Sequence, residues 1–192
     1  MPRLYVQRAT YNPDVMADGL YAVVSYITGE LGKFVDELRA EFTPAQAHLR
    51  AHLTLLPPRP LLGSVEEASH TLEELCRQLK PLEVGFGEVR LFVPISPTAY
   101  LSIEKGAERV IAMHDALNIA EFLCYEALPY IPHLTVAAMT SDEELEHAAG
   151  VARQRWTEYR GPRAARLTEL TFAVDPELGN HWDDLASFPL LG

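Results

Sequence analysis

From Leu20 onward the chain alternates between two hydrophobic periods. Leu20–Ile27 is apolar and aromatic almost throughout and reads as a strand. Gly29–Phe42 then places Leu31, Phe34, Val35, Leu38 and Phe42 on one helical stripe. A short strand is predicted over Ala51–Leu56, stopped by Pro57-Pro58-Arg59-Pro60. Ser64-Val65-Glu66-Glu67 is a capping-box pattern. It opens a helix with Ala68, Leu72, Leu75 and Leu79 inward that ends near Pro81. Leu82–Val93 reads as a strand bent at Gly85 or Gly87.

The second half repeats this order. Thr98–Glu104 is a predicted strand and Gly106–Ile119 a helix, with Val110, Ile111 and Leu117 on one side. Phe122–Leu128 reads as a short edge strand and Ile131–Met139 as another strand. Ser141-Asp142-Glu143-Glu144 is a second capping box, opening a helix through Leu145, Ala148, Ala149, Ala152 and Trp156. Arg166–Val174 is the matching last strand, and the tail from Pro176 to Gly192 has room for one more edge strand. The repeat of roughly 75 residues is longer than a solenoid unit and implies two lobes. The predicted fold is α+β: two pseudosymmetric lobes, each a mainly antiparallel sheet with helices outside, around a central groove. After an N-terminal arm over 1–19, residues 20–192 form one domain with lobe halves at about 20–95 and 98–175.

Composition narrows the function. The chain has 192 residues, 16 Lys+Arg and 27 Asp+Glu, a net charge of −11. That surface repels polyanions, so duplex DNA is an unexpected partner and a small anion in a local pocket is a better one. No apolar run approaches the roughly 18 residues of a membrane helix, and no signal-peptide pattern precedes Leu20. A cytoplasmic monomer is the expectation. Cys76 and Cys124 lack metal-ligand spacing and read as small core residues.

The candidate chemistry lies in two matched strands. His52-Leu53-Thr54-Leu55 occupies the middle strand of the first half, and His133-Leu134-Thr135-Val136 that of the second. Side chains alternate across a strand, so each His shares a face with its Thr while the apolar residues point the other way. With 7 His in the chain, His-x-Thr arises roughly 0.4 times by chance, so one copy means little and two at matched positions mean more. The plain alternative is two histidines satisfied locally on half-buried strands.

This pairing resembles the two-histidine (2H) phosphoesterase superfamily, which includes the 2'-5' RNA ligase family and cyclic nucleotide phosphodiesterases. The resemblance spans about Leu20 to Val174. It rests on His52, Thr54, His133 and Thr135, with Pro132 before the second His. It implies two α+β lobes around a groove and metal-independent, cofactor-free cleavage of 2',3'-cyclic phosphates on nucleotides or short RNA ends. The residues support such chemistry independently. One neutral and one protonated imidazole can serve as base and acid near neutrality, and threonine hydroxyls can donate to non-bridging phosphate oxygens. Which His takes which role is left open. The rival reading is a nucleotide- or phosphate-binding module of the same fold without turnover.

Further candidates are Arg50 and Arg59, which flank the first motif, and Tyr130, which precedes the second; any could touch a phosphate or stack on a base. His48 lies four before His52, but the strand-like segment ending in Pro57 spoils a helical metal site. His70, His114, His147 and His181 read as solvated or locally satisfied.

Overall fold

The computed structural model describes residues 19–139, 141–175 and 182–192. Its strands are β1 (Leu20–Tyr26), β2 (His52–Arg59), β3 (Leu82–Leu91), β4 (Thr98–Lys105), β5 (His133–Ala138), β6 (Ala164–Leu167), β7 (Glu169–Asp175) and β8 (Asp183–Pro189). Its helices are α1 (Gly29–Phe42), α2 (Val65–Gln78), α3 (Ala107–Leu117) and α4 (Asp142–Glu158). The expected N-terminal arm over 1–19 lies almost wholly outside the described residues, as does His181.

Two four-stranded antiparallel sheets result, in the orders β2-β1-β7-β8 and β5-β4-β3-β6. The fold is α+β, as expected. The contiguous halves 20–95 and 98–175 are not the two sheets, however. β3, from the first half, pairs with β4 of the second, while β7 returns to pair with β1. Periodicity reveals a strand but not its partner, so the exchange was invisible in the pattern. The helices exchange too: α1 and α4 pack on the β5-β4-β3 side, α2 and α3 on the sheet containing β2, β7 and β8. One continuous apolar core follows, from Val23, Leu53 and Phe172 to Leu101, Leu134 and Trp156.

Local differences from the predicted elements have local causes. β2 runs through Pro57 and Pro58 to Arg59, where a stop was expected. It is an edge strand, where a missing N–H is tolerated, and its pairing shifts register between Leu56 and Arg59. The predicted strand at Phe122–Leu128 is instead a 3₁₀ turn at Ala120–Phe122 and an irregular loop. There the Asn118 side chain takes up both the N–H and the C=O of Cys124, the groups a strand ladder would need. Cys124 is therefore only half-buried in that loop, whereas Cys76 is a core residue. The predicted strand Arg166–Val174 divides at Thr168 into β6 and β7, because the chain passes there from one sheet to the other. β3 carries register shifts around Phe86 and Val89. A Cβ on Gly87 would meet the exposed Glu104 side chain, which would have to turn away.

Helix starts follow the sequence. Ser64 accepts from the Glu67 N–H at 3.2 Å and donates its own N–H to Glu67 Oε2 at 2.9 Å. Ser141 caps α4 in the same way through the Glu144 N–H. No helix among the described residues is long and apolar enough to cross a membrane.

Leu55 is fully buried on the face of β2 opposite His52 and Thr54. Leu55→Ala is expected to lower unfolding stability by about 2–5 kcal/mol, measured by urea denaturation. A loss below 1 kcal/mol would contradict the assigned facing.

Candidate active site

β2 and β5 are edge strands of different sheets and lie alongside each other. The strand period then does what the sequence implied. Leu53, Leu55, Leu134 and Val136 are fully buried, while His52, Thr54, His133 and Thr135 are half-buried on the other face. The two rings are near enough that charge on His133 acts on His52.

Each imidazole is fixed identically. His52 Nδ1 lies 2.7 Å from the carbonyl of Arg50, and His133 Nδ1 lies 2.7 Å from the carbonyl of Ile131. A carbonyl oxygen only accepts, so both Nδ1 atoms carry the proton and both Nε2 atoms are left for proton exchange with a ligand. Neither the Thr54 nor the Thr135 hydroxyl has a side-chain or backbone partner among the described residues, so both are available as donors. Burial depresses both histidines. His52 falls from 6.5 to about 4, through burial first and then the Arg39 charge, with the Arg50 carbonyl opposing. His133 is also lowered by burial, with the Ile131 carbonyl opposing.

Aromatic rings wall the histidines differently. The His52 ring lies 5.2 Å from Trp182 and 6.3 Å, edge-on, from Tyr26. The His133 ring meets Phe92 at 4.7 Å and Tyr100 at 5.4 Å, and these two stack at 4.1 Å. A cavity of about 260 Å³ opens beside His52, lined by Tyr26, His48, Arg50, Trp182 and Asp184. Arg50 lies flat over the Tyr26 ring at 3.6 Å and pairs with Asp184 at 2.6 Å. The Tyr26 hydroxyl donates to the other Asp184 oxygen at 2.5 Å; burial, then Asp184, pushes it up to about 12.

Of the three extra candidates, only Arg50 lines this cavity. Arg59 turns into the protein, 2% exposed, and binds Glu126, Asn118 Oδ1 at 2.8 Å and the carbonyls of Pro57 and Phe122. The partners it has among the described residues all belong to the protein itself, away from the cavity beside His52. Tyr130 donates its hydroxyl to the Thr54 carbonyl at 2.7 Å, and its ring stacks on His114 at 4.0 Å. It bridges the two motifs through that hydroxyl, with one ring face on His114. His114 is locally satisfied as expected, but deep in the interior, between the Leu55 carbonyl at 2.7 Å and Glu126 at 3.2 Å. His70 is exposed beside Glu74, and His147 lies edge-on to Phe42. His48 does reach the cavity of His52, yet among the described residues no three His, Cys, Asp or Glu side chains are grouped to hold a metal ion.

The model of the 2'-5' RNA ligase superfamily matches residues 28–176, most of the chain and both histidine strands. The chain belongs to that superfamily. It is 26% identical over 136 residues to a "Putative phosphoesterase" of Bacillus pumilus, covering 70% of this chain and 79% of that protein. Among solved structures, E. coli LigT complexed with 3'-AMP shares the fold at a TM-score of 0.58 and 15% identity, covering 91% of this chain and 99% of that one. E. coli LigT complexed with phosphate does so at 0.56, with 15% identity, 91% and 98% coverage. The superfamily member described here is thus of phosphoesterase type.

The residues missed from sequence are those brought to the site by other elements: Tyr26 from β1, Arg39 from α1, Phe92 after β3 and Trp182 with Asp184 from the final segment. None has a spacing signal relative to the motifs.

NMR titration of the imidazole rings is expected to show neutral rings with Nδ1 protonated, His52 titrating near 4 and His133 below its ordinary value. Adding inorganic phosphate is expected to raise both values, because an anion between the rings favours the charged form.

Proposed function

We propose that this chain is a metal-independent phosphodiesterase that opens 2',3'-cyclic phosphates of nucleotides or short RNA ends by two-histidine acid–base catalysis. The observation carrying this reading is the paired fixing of His52 and His133. Both Nδ1–H groups are anchored on the carbonyl two residues upstream, and among the described residues neither Nε2 atom has a hydrogen-bond partner. A binding module needs donors; it does not need two proton-exchanging nitrogens held in the same tautomer.

One imidazole takes a proton from water as the new P–O bond forms. The other delivers a proton to the sugar oxygen as the old P–O bond breaks. Thr54 and Thr135 donate to the non-bridging oxygens, where negative charge concentrates in the five-coordinate transition state. That LigT, which shares the fold, is found complexed with 3'-AMP and with phosphate supports a nucleotide-sized phosphate ligand. The net charge of −11 favours such a ligand over long RNA and against duplex DNA. The reading includes a cytoplasmic monomer that uses no metal or cofactor.

Turnover of 2',3'-cyclic AMP, followed by product chromatography, tests the proposal. His52→Ala and His133→Ala are each expected to lower kcat/KM by about 10²–10⁴. Thr54→Ala and Thr135→Ala are expected to lower it less, by about 10–10³. Activity is expected to persist with EDTA. Wild-type-like turnover in either histidine variant would end the two-histidine reading.

The pH dependence follows from the depressed histidines. Activity needs one ring neutral and one protonated, so kcat/KM is bell-shaped between the pair's macroscopic pKa values. Both rings lie below 6.5 in the free enzyme. The maximum is therefore expected on the acid side of 6.5, with the rate falling as rising pH removes the last imidazolium. A maximum on the alkaline side of neutrality would contradict it.

A further inference from the structure

Both histidine strands break their ladder at the same place. β1 pairs Val24 with Thr54 and Val23 with Leu56, so Leu55 is an extra residue on β2. β4 pairs Tyr100 with Thr135 and Ala99 with Ala137, so Val136 is the extra residue on β5. Each His-x-Thr is thus followed at once by a β-bulge, and two consecutive apolar residues are buried behind it, Leu55 with Leu56 and Val136 with Ala137. A bulge bends its strand and re-aims the neighbouring side chain, but it disrupts the ladder that would otherwise hold the backbone. On β2 that loss is made good by side chains from the second half of the chain. The Tyr130 hydroxyl donates to the Thr54 carbonyl at 2.7 Å, and His114 Nδ1–H donates to the Leu55 carbonyl at 2.7 Å. The two rings lie face to face, 4.0 Å apart and 4° from parallel. His114 Nε2 is held in turn 3.2 Å from Glu126 Oε2, and Arg59 binds the same carboxylate. Two successive peptide planes, and with them the bend at Leu55, are set from outside the strand. β5 has no counterpart. Leu49 stands three residues before His52, as Tyr130 does before His133, and it has no hydroxyl. Among the described residues no side chain bonds the Thr135 or Val136 carbonyl; Thr43 bonds the Ala138 carbonyl, beyond the bulge.

Resting on the two-histidine reading above, we propose that Tyr130 is a positioning residue: backed by His114, it holds the bulge after Thr54 and so aims the Thr54 hydroxyl at the phosphate. A turn of the peptide plane that Tyr130 holds swings the Cα–Cβ bond of Thr54 with it, and the hydroxyl moves at the end of that bond. The His52 ring is fixed separately, upstream, by the Arg50 carbonyl at 2.7 Å. The clamp therefore acts on the threonine rather than on the imidazole. Burial, then the Glu126 charge, raises Tyr130 above its ordinary value, so the hydroxyl keeps its proton and stays a donor. A neutral O–H to carbonyl bond adds only modestly to folding stability. Its loss weighs more heavily on rate, because a phosphate donor displaced by a fraction of an ångström no longer meets the oxygen where charge develops.

The test measures kcat/KM on 2',3'-cyclic AMP for wild type, Thr54→Ala and Thr135→Ala, each with and without Tyr130→Phe. That substitution removes one hydroxyl and keeps the ring on His114. It is expected to cost about tenfold in the wild-type background and about tenfold beside Thr135→Ala. Beside Thr54→Ala it is expected to cost less than about twofold, because the group it aims is already gone. Equal losses in the two threonine backgrounds, or no loss in the wild type, overturn the proposal; a general loosening of the fold would give the equal losses.

The affinity for inorganic phosphate, read from the imidazole NMR signals of the same set of proteins, separates this proposal from the hydrolase reading. Tyr130→Phe is expected to weaken phosphate binding by about threefold in the wild-type and Thr135→Ala backgrounds and to leave it unchanged beside Thr54→Ala. A chain that turns over no cyclic phosphate but shows that pattern defeats the hydrolase reading and leaves the Tyr130 role standing. Turnover with both threonine backgrounds equally affected defeats the Tyr130 role alone. A chain that neither turns over the diester nor binds phosphate defeats both.

Discussion

The exchange of third strands between the two halves is the constraint on which the rest depends. β3 pairs with β4 and β7 with β1, so neither sheet can form from one half of the chain. Each sheet is then left with a histidine strand at its edge, and the two edges lie together. Because strand side chains alternate, burying the leucines behind β2 and β5 forces the histidines and threonines forward as a set. A slip of one residue in either strand would send Leu53 or Leu134 to the polar face and bury a histidine. The packing of the core and the placing of the chemistry are one requirement.

Much of this was legible because it depends on local periodicity. The His-x-Thr pairs, the two serine caps and the four helices each announce themselves within a few residues. What was not legible depends on partners far along the chain. Pro57 and Pro58 stop a central strand but not an edge strand, and nothing near them tells which β2 is. Arg59 sits in a proline-rich segment that looks like an exposed turn. Its burial follows from Glu126 and Asn118, about sixty residues later, which supply the opposite charge and the acceptor. Arg39 lies on an ordinary amphipathic helix, and its burial with a hydrogen bond to the Arg50 carbonyl depends on a segment eleven residues further along the chain.

Arg59, Glu126, His114 and Tyr130 form a buried polar chain that ends on the Thr54 carbonyl. Arg59 and His114 both reach Glu126, His114 also meets the Leu55 carbonyl, and its ring stacks on Tyr130, so the polar groups here are paired, the condition under which buried charge is tolerated. Tyr130 lies three residues before His133 and reaches the backbone of the first motif, so the chain ties the two half-sites across the sheet boundary. On the other side, Thr43 at the end of α1 exchanges hydrogen bonds with Ala138 at the end of β5. The lobes are thus tied at both ends of the paired histidine strands.

β8 lies beyond residue 176, where the superfamily match ends, yet it completes the first sheet and brings Asp184 to the cavity beside His52. Among the described residues the strand is also an outer edge of its sheet. Two adjacent aspartates at its start and Pro189 at its end are the features that discourage a second chain from adding to a sheet. The carboxylate that shapes the mouth of the cavity thus also helps guard the protein against edge-to-edge aggregation.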